Sequence, residues 1–206
     1  MQNFFKTQKE QKEFNEKMFK EESSQCWAFG LDWKRRQKIR QIIEELDLKK
    51  NEKVLDMGCG GGIYAFEIEK KTGTKVTGMD ISNNALKMAK KLGCKNLVQG
   101  FAEKLPFGKE TFDKIYSIET FEHLPDAEKA ISEIGRVLRK GGLVTISNPV
   151  TPSWKYLWYE QEKPEVHGHI NFLSIEQYRK IFAKNGMEFV GARGYGLMEG
   201  IIWWHN

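Results

Sequence analysis

The sequence predicts an α/β fold in which a mostly parallel β-sheet carries helices on both faces. Two observations predict this class. From residue 54 to residue 147, short apolar segments typical of buried strands alternate with longer segments of helical period, as repeated β-α units require. A cluster of glycines from Gly58 to Gly62 separates the first of these strands from the first helix after it, which is typical of a ligand-binding turn.

The chain begins with a charged segment whose apolar residues predict one amphipathic helix within residues 2 to 22. This helix either forms a lid over a substrate pocket or is a solvated helix that packs by one stripe. A second helix is predicted around Ile39, Ile42, Ile43 and Leu46, because these residues recur at the spacing of one helix face.

The alternation that follows predicts each element from its apolar pattern and its glycine stops. The predicted strands are 54–57, 76–79, a short one starting at 97–98, 112–118 and 143–147, and the predicted helices are 63–71, 83–92 and 127–138. Gly73 and Gly93 are expected to end two of these helices. Gly141 and Gly142 are expected to break the helix that precedes the fifth strand.

The C-terminal part predicts one further helix and two closing strands. Ser174 and Gln177 have the spacing of a capping box, and Leu173 and Tyr178 have that of a hydrophobic staple. Residues 187 to 204 are aromatic and punctuated by glycine, so two strands are expected there. The complete prediction is a Rossmann-like, seven-stranded, mostly parallel sheet whose ligand lies at the carboxyl ends of the strands.

The composition bounds the class of protein. A chain of 206 residues with 40% hydrophobic content predicts a single well-packed domain. The formal charge of +5 permits a nucleic-acid partner but does not indicate one, because it is a small excess on a mixed surface. Three scattered cysteines and no apolar run of membrane-spanning length predict a cytoplasmic protein without a disulfide framework or a membrane partner.

The spacing of the glycines distinguishes between nucleotide ligands. A dinucleotide fingerprint that starts at Gly58 and Gly60 would need a third glycine where this chain has Ile63. A triphosphate-binding loop would need a lysine and a hydroxyl residue directly after Gly62, and neither follows it. What remains is an acidic residue, Asp56, ahead of three glycines at alternate positions.

Five motifs in order resemble those of the class I S-adenosylmethionine-dependent methyltransferases, over about residues 39 to 189. They are DMGCGGG at 56–62, VTGMDIS at 76–82, QGFAEKLPF at 99–107, the segment from FD at 112–113 to HLPD at 123–126, and LRKGG at 138–142. Each motif is weak alone, but five in this order with these gaps are specific. The resemblance implies a Rossmann-like methyltransferase with S-adenosylmethionine as its cofactor.

The resemblance also implies roles at the first two motifs. The backbone amides of Gly58, Gly60 and Gly62 would approach the methionine half of the cofactor at a helix N-terminus. Asp80, which lies 22 residues after Gly58, would accept hydrogen bonds from both ribose hydroxyls. The alternative for Asp80 is a purely structural one, in which it caps the helix that begins at Asn83.

The remaining cofactor contacts are assigned by the same resemblance. Ile81 would pack on the adenine face, and Asp56 would organise the glycine turn and reach the cofactor amine indirectly. The family often has an aspartate where this chain has Phe101. Either Phe101 stacks on the adenine ring, or Glu103 accepts from the adenine amino group, or that group is left to water. Ala102 would offer its backbone amide to the ring.

The segment after the fourth predicted strand is expected to lie beside the transferred methyl group. Ser117 and Ile118 are expected to contact the methionine part of the cofactor through their backbone. The spacing of Glu119, Glu122 and His123 is similar to that in the ubiquinone-pathway O-methyltransferases and the small-RNA 2′-O-methyltransferases.

Two roles are open for this segment. In the RNA enzymes, two glutamates, this histidine and a later histidine hold a divalent metal, and His169 fits the later position better than His167. The first hypothesis is therefore a metal site that acts as a Lewis acid on an oxygen acceptor, formed by Glu119, Glu122, His123 and His169. In the second, no metal is held and His123 shapes the pocket, caps the next segment or acts as a general base. His123 and His169 are the candidate catalytic residues.

The domain prediction places a helical lid or docking segment at residues 1 to 34 and the methyltransferase domain at residues 35 to 206. Residues 148 to 173 form a long aromatic insertion after the fifth strand, either a lid over the acceptor or a packed loop or dimer contact. The leading functional hypothesis is methyl transfer to an oxygen or nitrogen of a small-molecule acceptor. RNA methylation and a non-catalytic S-adenosylmethionine-binding module are the alternatives.

Overall fold

The structure is a computed structural model, and it describes residues 7–20, 33–149, 170–171, 173–195 and 199–205. The helices are α1 (Gln8–Met18), α2 (Trp33–Glu45), α3 (Ile63–Thr72), α4 (Asn83–Leu92), α5 (Ala127–Val137) and α6 (Ile175–Lys184). The strands are β1 (Lys53–Met57), β2 (Lys75–Asp80), β3 (Asn96–Gln99), β4 (Phe112–Ile118), β5 (Leu138–Pro149), β6 (Glu188–Tyr195) and β7 (Glu199–His205). A 3₁₀ turn, Phe121–His123, follows β4.

The sheet has the strand order β3-β2-β1-β4-β5-β7-β6. The five strands from β3 to β5 are parallel, and β7 pairs antiparallel with both β5 and β6. The chain order reverses between β1 and β4, so the connections that leave these two strands diverge and open a crevice at their carboxyl ends. The predicted Rossmann-like, mostly parallel sheet is confirmed.

Both faces of the sheet are covered by helices, because successive side chains along a strand point to opposite faces. In β1, Val54 packs with α2 and α3 in one buried cluster, whereas Leu55 packs with α5 and α6 in the other. Ile42 of α2 and Ile134 of α5 are fully buried members of these two clusters. The sheet is therefore packed against helices on both faces, and the carboxyl ends of its strands are held in fixed positions.

The helix starts follow the predicted signals. The predicted capping box at α6 is present, with the Ser174 side chain accepting from the Gln177 backbone and the Gln177 side chain accepting from the Ser174 backbone. A second capping box, between Thr7 and Glu10, begins α1. Helix α1 ends at Met18, inside the predicted range of 2 to 22; residues 2–6 and 21–22 of that prediction lie outside the described residues.

The connection between α5 and β5 differs from the prediction. Helix α5 ends at Val137 and β5 begins with the next residue, so the predicted helix extension to 138 is wrong. Gly141 and Gly142 lie within β5 rather than before it. The left-handed backbone of Gly141, with φ of 74°, accompanies a shift of the β4–β5 register between Phe112 and Lys114. The glycines thus form an irregularity inside a strand.

Among the described residues, no helix combines the length and the apolar character that crossing a bilayer requires.

Candidate active site

The glycine turn between β1 and α3 is tightly packed. Gly58 and Gly62 have left-handed backbones, with φ of 79° and 81°. A Cβ on Gly58 would lie 2.3 Å from Thr120 Oγ1, and one on Gly62 would lie 2.7 Å from the Cβ of Ala89. Both positions therefore require glycine for conformation and for space. Helix α3 begins at Gly62 without a side-chain cap, so its first backbone N–H groups remain suited to an anionic ligand.

Asp80 connects the glycine turn to the start of α4. Its Oδ2 accepts a hydrogen bond from the backbone N–H of Gly60 at 2.8 Å, and its Oδ1 accepts from that of Ser82 at 2.8 Å. Burial raises the pKa of Asp80, although these backbone hydrogen bonds oppose the shift. The N-cap of α4 is Ser82, whose hydroxyl accepts from the Ala85 backbone at 3.2 Å. The alternative in which Asp80 caps this helix is therefore wrong.

Asp56 lies beneath the turn, in the body of β1. It is 2% exposed and stands opposite Tyr116 of β4 in the parallel register. Its Oδ2 has no hydrogen-bond partner among the described residues. Burial, with a smaller effect from the charge of Asp80, raises the pKa of Asp56 to about 8. Burial therefore favours the protonated form of this carboxyl group, which suits a buried support of the turn better than a charged ligand contact.

The region predicted for the adenine ring contains a cavity of about 340 Å³, whose lining includes Ile81, Phe101 and Lys12. Ala102 and Glu103 follow directly and are buried. Glu103 Oε2 accepts from Gln8 Nε2 at 3.3 Å, whereas the buried Glu103 Oε1 has no hydrogen-bond partner among the described residues. Burial raises the pKa of Glu103. Phe101 lines the same cavity, so stacking by Phe101 and hydrogen bonding by Glu103 both remain as alternatives.

The end of β4 is fastened to the end of β1. Ser117 Oγ donates to the carbonyl of Met57 at 2.8 Å, and Thr120 Oγ1 donates to the same carbonyl at 3.3 Å. Ile118, which lies between these two residues in the sequence, is buried. Ser117 and Ile118 therefore lie beside the glycine turn, and their contact with the methionine part of the cofactor stays a prediction.

Glu119 has an unusual backbone and a buried partner. Its φ is 50°, a left-handed value that is costly for a residue with a side chain. Its Oε1 lies 2.6 Å from Nζ of Lys38, a residue of α2 that is only 5% exposed. Its backbone N–H donates to the carbonyl of Ser147, near the end of β5, at 2.7 Å.

The predicted metal ligands are not arranged as a metal site where the structure describes them. Glu119, Glu122 and His123 do not form a metal-binding group, and the search covers only the described residues. Glu119 is paired with a lysine instead. The fourth predicted ligand, His169, and its neighbour His167 lie outside the described residues, as does most of the 148–173 insertion.

Helix α1 lies over the start of α4 through Glu16. The Glu16 carboxylate accepts from the backbone N–H groups of Asn83 and Asn84 at 2.8 and 3.1 Å, and from the Ser82 hydroxyl at 3.1 Å. Burial alone would raise the pKa of Glu16, but these three hydrogen bonds together lower it. Asn84 completes the contact by donating its side-chain amide to the Glu16 carbonyl at 3.0 Å.

The rest of α1 contacts the other segments of the site. Gln11 Nε2 donates to the carbonyl of His123 at 2.8 Å. The Phe19 ring lies 3.5 Å from the place that a Cβ on Gly60 would take. With Lys12 at the adenine-side cavity, these contacts place α1 and the next residue, Phe19, against three segments of the site: the 3₁₀ turn, the glycine turn and the cavity.

Sequence reasoning missed Lys38 and Glu16. Lys38 carried a usable signal, because it lies four residues before Ile42 and so shares the buried face of α2, where a lysine needs a partner. Glu16 carried none. It is 66 to 68 residues from its partners, which are the N-cap and the first two residues of α4, and the docking of α1 brings them together.

The fold and this geometry together define a Rossmann-like protein with a site for a nucleoside-containing cofactor at the carboxyl ends of β1 and β2. A family model described as a methyltransferase domain matches residues 55–146. Phosphoethanolamine N-methyltransferase 1 of Zea mays is 32% identical over 161 residues, 73% of this chain and 31% of that protein. The O-methyltransferase rstn1 of Aspergillus nomiae is 34% identical over 116 residues, 53% of this chain and 52% of that protein.

Among solved structures, phosphoethanolamine N-methyltransferase 2 of Haemonchus contortus, in complex with S-adenosyl-L-methionine, is similar in fold. Its TM-score is 0.70 at 19% identity, and the match covers 82% of this chain and 52% of that one. These matches confirm the resemblance to the class I S-adenosylmethionine-dependent methyltransferases, and the cofactor is S-adenosylmethionine. The chain spans about a third to about half of the length of the two curated relatives.

The residues of the site fit this cofactor. The glycine turn leaves no room for a Cβ at Gly58 or Gly62, a buried carboxylate stands at Asp80, and the buried Glu103 Oε1 has no hydrogen-bond partner among the described residues. A cradle of backbone amides, a ribose acceptor and a polar atom at the adenine edge are what an adenosyl amino acid requires.

Proposed function

We propose that this protein transfers a methyl group from S-adenosylmethionine to an oxygen or nitrogen atom of a small-molecule acceptor. The observation that carries the proposal is the pair of hydrogen bonds by which Asp80 holds Gly60 and Ser82. They fix a buried carboxylate beside the glycine turn, where the cofactor ribose needs an acceptor. The names of the two curated relatives, an N-methyltransferase and an O-methyltransferase, support both kinds of acceptor atom.

We assign cofactor binding to residues at the carboxyl ends of the parallel strands. The glycine amides and the backbone after β4 would receive the methionine half, Asp80 the ribose, and the residues after β2 and β3 the adenine. The assigned residues are Asp56, Gly58, Gly60, Gly62, Asp80, Ile81, Ala102, Glu103, Ser117 and Ile118. Asp56 acts indirectly in this assignment, since it is buried beneath the turn.

The chemistry asks for orientation and for one proton acceptor. The cofactor supplies an activated methyl group, so the protein must place the acceptor in line with it and remove a proton where the acceptor carries one. We assign proton removal to His123, which is partly exposed in the 3₁₀ turn directly after β4. His169 stays a prediction as a second catalytic residue, because it lies outside the described part of the chain.

We propose that the N-terminal segment, predicted as residues 1 to 34, closes over the site through α1. The contacts of Glu16 with α4, of Gln11 with the 3₁₀ turn and of Gln8 with Glu103 support this role. They join the helix to the ribose, acceptor and adenine regions at once. A cytoplasmic location and the domain boundary at residue 35 stay predictions.

Calorimetric titration with S-adenosylmethionine and S-adenosylhomocysteine tests the cofactor assignment. We expect both to bind, and Asp80→Ala to weaken binding by at least tenfold, because it removes the charge-assisted acceptor of the ribose hydroxyls. The matched control is Asp47→Asn, which removes the charge of an exposed aspartate that pairs with Lys49. The proposal fails if the wild-type protein binds neither ligand.

The acceptor is tested separately, with methyl-labelled cofactor and two sets of acceptors. One set contains small amines, phenols and hydroxy compounds, and the other contains total RNA. We expect label in the first set alone. Transfer to RNA would replace the small-molecule acceptor by the alternative, and binding of the cofactor without transfer to either set would favour a non-catalytic module.

A further inference from the structure

Exposed lysines gather at the amino ends of β1, β2 and β3, the edge of the sheet opposite the glycine turn. This surface, named the lysine edge, consists of eight residues: Lys50, Lys53, Lys70, Lys71, Lys75, Lys90, Lys91 and Lys95. The segments 50–53, 67–75 and 90–95 hold these eight lysines and three glutamates, a net charge of +5 that equals the formal charge of the whole chain. The net positive charge of the protein is therefore concentrated at this edge.

Tertiary contacts bring the lysines together from separate parts of the chain. Lys53 at the start of β1 pairs with Lys75 at the start of β2 in the parallel register. The Cγ of Lys50 lies 3.2 Å from the place that a Cβ on the C-cap glycine of α3 would take. Lys70, in the last turn of α3, and Lys95, after α4, line one groove. The lysine edge is thus one continuous surface.

Most of these lysines are not neutralised by an ion pair. Where the structure describes the chain, Lys71 alone of the eight forms one, with Glu67 at 3.6 Å. By contrast, Arg136 and Lys184, in the last turns of α5 and α6, each pair with a glutamate. The helix dipole favours a basic residue at a helix C-terminus. It does not account for the lysines of the edge that lie outside helices.

The groove adds accessible apolar surface to the lysine edge. It lies between α3 and the segment after α4, has a volume of about 280 Å³, and its lining includes Phe66 and Val76. Glu69, also in the lining, accepts from the Val76 backbone N–H at 3.4 Å. Leu92, the last residue of α4, is 37% exposed and directly precedes Gly93 of the same lining. Positive charge and apolar side chains are therefore accessible side by side.

The lysine edge lies away from the proposed active site. Lys75 and Asp80 are the first and last residues of β2, so they are about 16 Å apart along the strand. A partner bound at the lysine edge would neither cover the glycine turn nor present an acceptor to the methyl group. The surface therefore suits a role that is separate from methyl transfer.

An anionic membrane surface fits the lysine edge better than a nucleic acid does. The three segments contain no arginine and no aromatic residue. Arginine is the residue that pairs bidentately with phosphates, and aromatic side chains stack on unpaired bases. A polybasic surface with accessible apolar side chains is the combination that binds anionic bilayers.

We propose that the lysine edge binds the surface of membranes that contain anionic phospholipids, with the lysines at the headgroups and Leu92 at the acyl boundary. Such binding is peripheral and leaves the carboxyl edge of the sheet facing the aqueous phase. It revises the expectation of no membrane partner, which rests on the lack of a spanning segment and not on the distribution of charge. It does not depend on the proposed function.

Co-sedimentation with two sets of lipid vesicles tests the proposal. One set is phosphatidylcholine alone, and the other contains about 30% phosphatidylserine. The test variant removes three charges of the lysine edge: Lys70→Gln, Lys90→Gln and Lys91→Gln. The matched control removes three exposed charges from α2, α5 and α6: Lys34→Gln, Lys129→Gln and Lys180→Gln. Glutamine keeps the helix propensity at all six positions, and circular dichroism and thermal melting show whether each variant is folded.

We expect the wild-type protein to bind the phosphatidylserine vesicles at least tenfold more tightly than the others, and to release them as salt is raised. The test variant should bind roughly 100-fold more weakly, because each lysine near an anionic surface contributes about fivefold. The control variant should stay within about threefold of the wild type. Leu92→Gln should weaken binding about three- to tenfold, because it removes the apolar contact.

Four results would overturn the inference. Equal binding of the wild-type protein to both sets of vesicles would show that anionic headgroups are not recognised, and this needs no variant. Unchanged binding by the test variant would remove the lysine edge from the contact. An equal loss in the control variant would assign binding to net charge alone. Displacement of the vesicles by total RNA at equal phosphate concentration would assign the lysine edge to nucleic acid.

The same protein separates this inference from the proposed function. The test variant should bind S-adenosylmethionine as the wild type does in calorimetry, because the lysine edge lies at the other end of the strands. A wild-type protein that binds the vesicles but no S-adenosylmethionine would contradict the proposed function and leave the inference intact.

Discussion

The two halves of the sheet's carboxyl edge are built by different means. At the ends of β1 and β2, backbone amides and glycines form the site, and the Gly60–Asp80 contact spans 20 residues of sequence. At the ends of β4 and β5, side chains form it, and the Lys38–Glu119 contact spans 81 residues. The first half is encoded within one β-α-β unit, whereas the second depends on helices that dock from elsewhere.

This difference predicts different behaviour under mutation. Changes at the ends of β1 and β2, the cofactor half, should act on cofactor affinity and on folding, because the backbone itself is the proposed binding group. At the ends of β4 and β5, the acceptor half, Ser117 and Thr120 are fastened to the glycine turn, so a change there that acts on the rate of transfer alone is expected at His123, the proposed base. Four substitutions test this division, from the largest expected effect to the smallest.

His123→Asn on the acceptor half should lower kcat by about 10² to 10⁴-fold, the usual contribution of a general base. Its affinity for S-adenosylmethionine should stay within about twofold, since His123 contributes its carbonyl and not its ring to the contact with α1. Steady-state kinetics with an acceptor found in the labelling experiment, together with calorimetry, measure both quantities. A variant with full kcat would show that His123 is not the base, and a variant with weakened cofactor binding would break the division between the halves.

Gly62→Ala on the cofactor half should lower the free energy of unfolding by about 2 to 5 kcal/mol. The left-handed backbone accounts for about 1 to 2 kcal/mol of this loss. Overpacking of the new Cβ against Ala89 and Cys94 accounts for about 1 to 3 kcal/mol. Gly141→Ala is the matched control, because Gly141 has a similar φ but no atom within 4 Å of its would-be Cβ. For Gly141→Ala, urea unfolding should show only the loss of about 1 to 2 kcal/mol that comes from the left-handed backbone. Equal losses would mean that packing at the turn contributes nothing.

Asp56→Asn should change how stability depends on pH. Because burial raises the pKa of Asp56 from 3.8 to about 8, the folded protein keeps a proton that the unfolded chain releases. The stability that this group contributes is complete below about pH 4 and is lost as pH rises toward 8. Between pH 6 and pH 7 the wild-type protein should lose about 1.4 kcal/mol more than Asp56→Asn.

Urea unfolding of the two proteins at both pH values measures this difference. The exposed Asp47→Asn variant serves as the control and should follow the wild type in this range, because the pKa of Asp47 is lowered rather than raised. A parallel loss in the wild-type protein and Asp56→Asn would show that Asp56 is charged when folded.

Glu16→Gln has the smallest expected effect, about 0.5 to 1 kcal/mol on the docking of α1, because it weakens charge-assisted hydrogen bonds at a helix N-terminus. Hydrogen exchange of the α1 amides should become faster, while the amides of β1 and β4 should be unchanged. Glu13→Gln, an exposed glutamate on the same helix, should leave α1 as in the wild type.

The cofactor half is easier to predict from the sequence than the acceptor half, because its contacts join residues that are close in the chain. The glycine turn and the carboxyl group of Asp80 beside it depend on φ values and hydrogen bonds between near neighbours, which residue types report directly. The N-cap of α4 was assigned only as an alternative, to Asp80, whereas the structure has Ser82 there. Gly141 is predicted to stop a helix but forms an irregularity in β5. Glycine is typical of both features, so its presence does not distinguish them. Lys38 and Glu16 were missed because their partners are set by tertiary packing, which spacing along the chain does not contain.

Helix α1 has a consequence for the timing of turnover. It is hydrogen-bonded to the start of α4, to Glu103 and to the 3₁₀ turn. In the proposed closure of α1 over the site, the helix would lie across the path of a bound cofactor. We expect S-adenosylhomocysteine to leave no faster than α1 undocks, which sets an upper limit on turnover that is independent of the acceptor's reactivity. Glu16→Gln should then release S-adenosylhomocysteine sooner in stopped-flow displacement. If release of S-adenosylhomocysteine limits turnover, a more reactive acceptor should speed the first turnover and leave the steady-state rate unchanged.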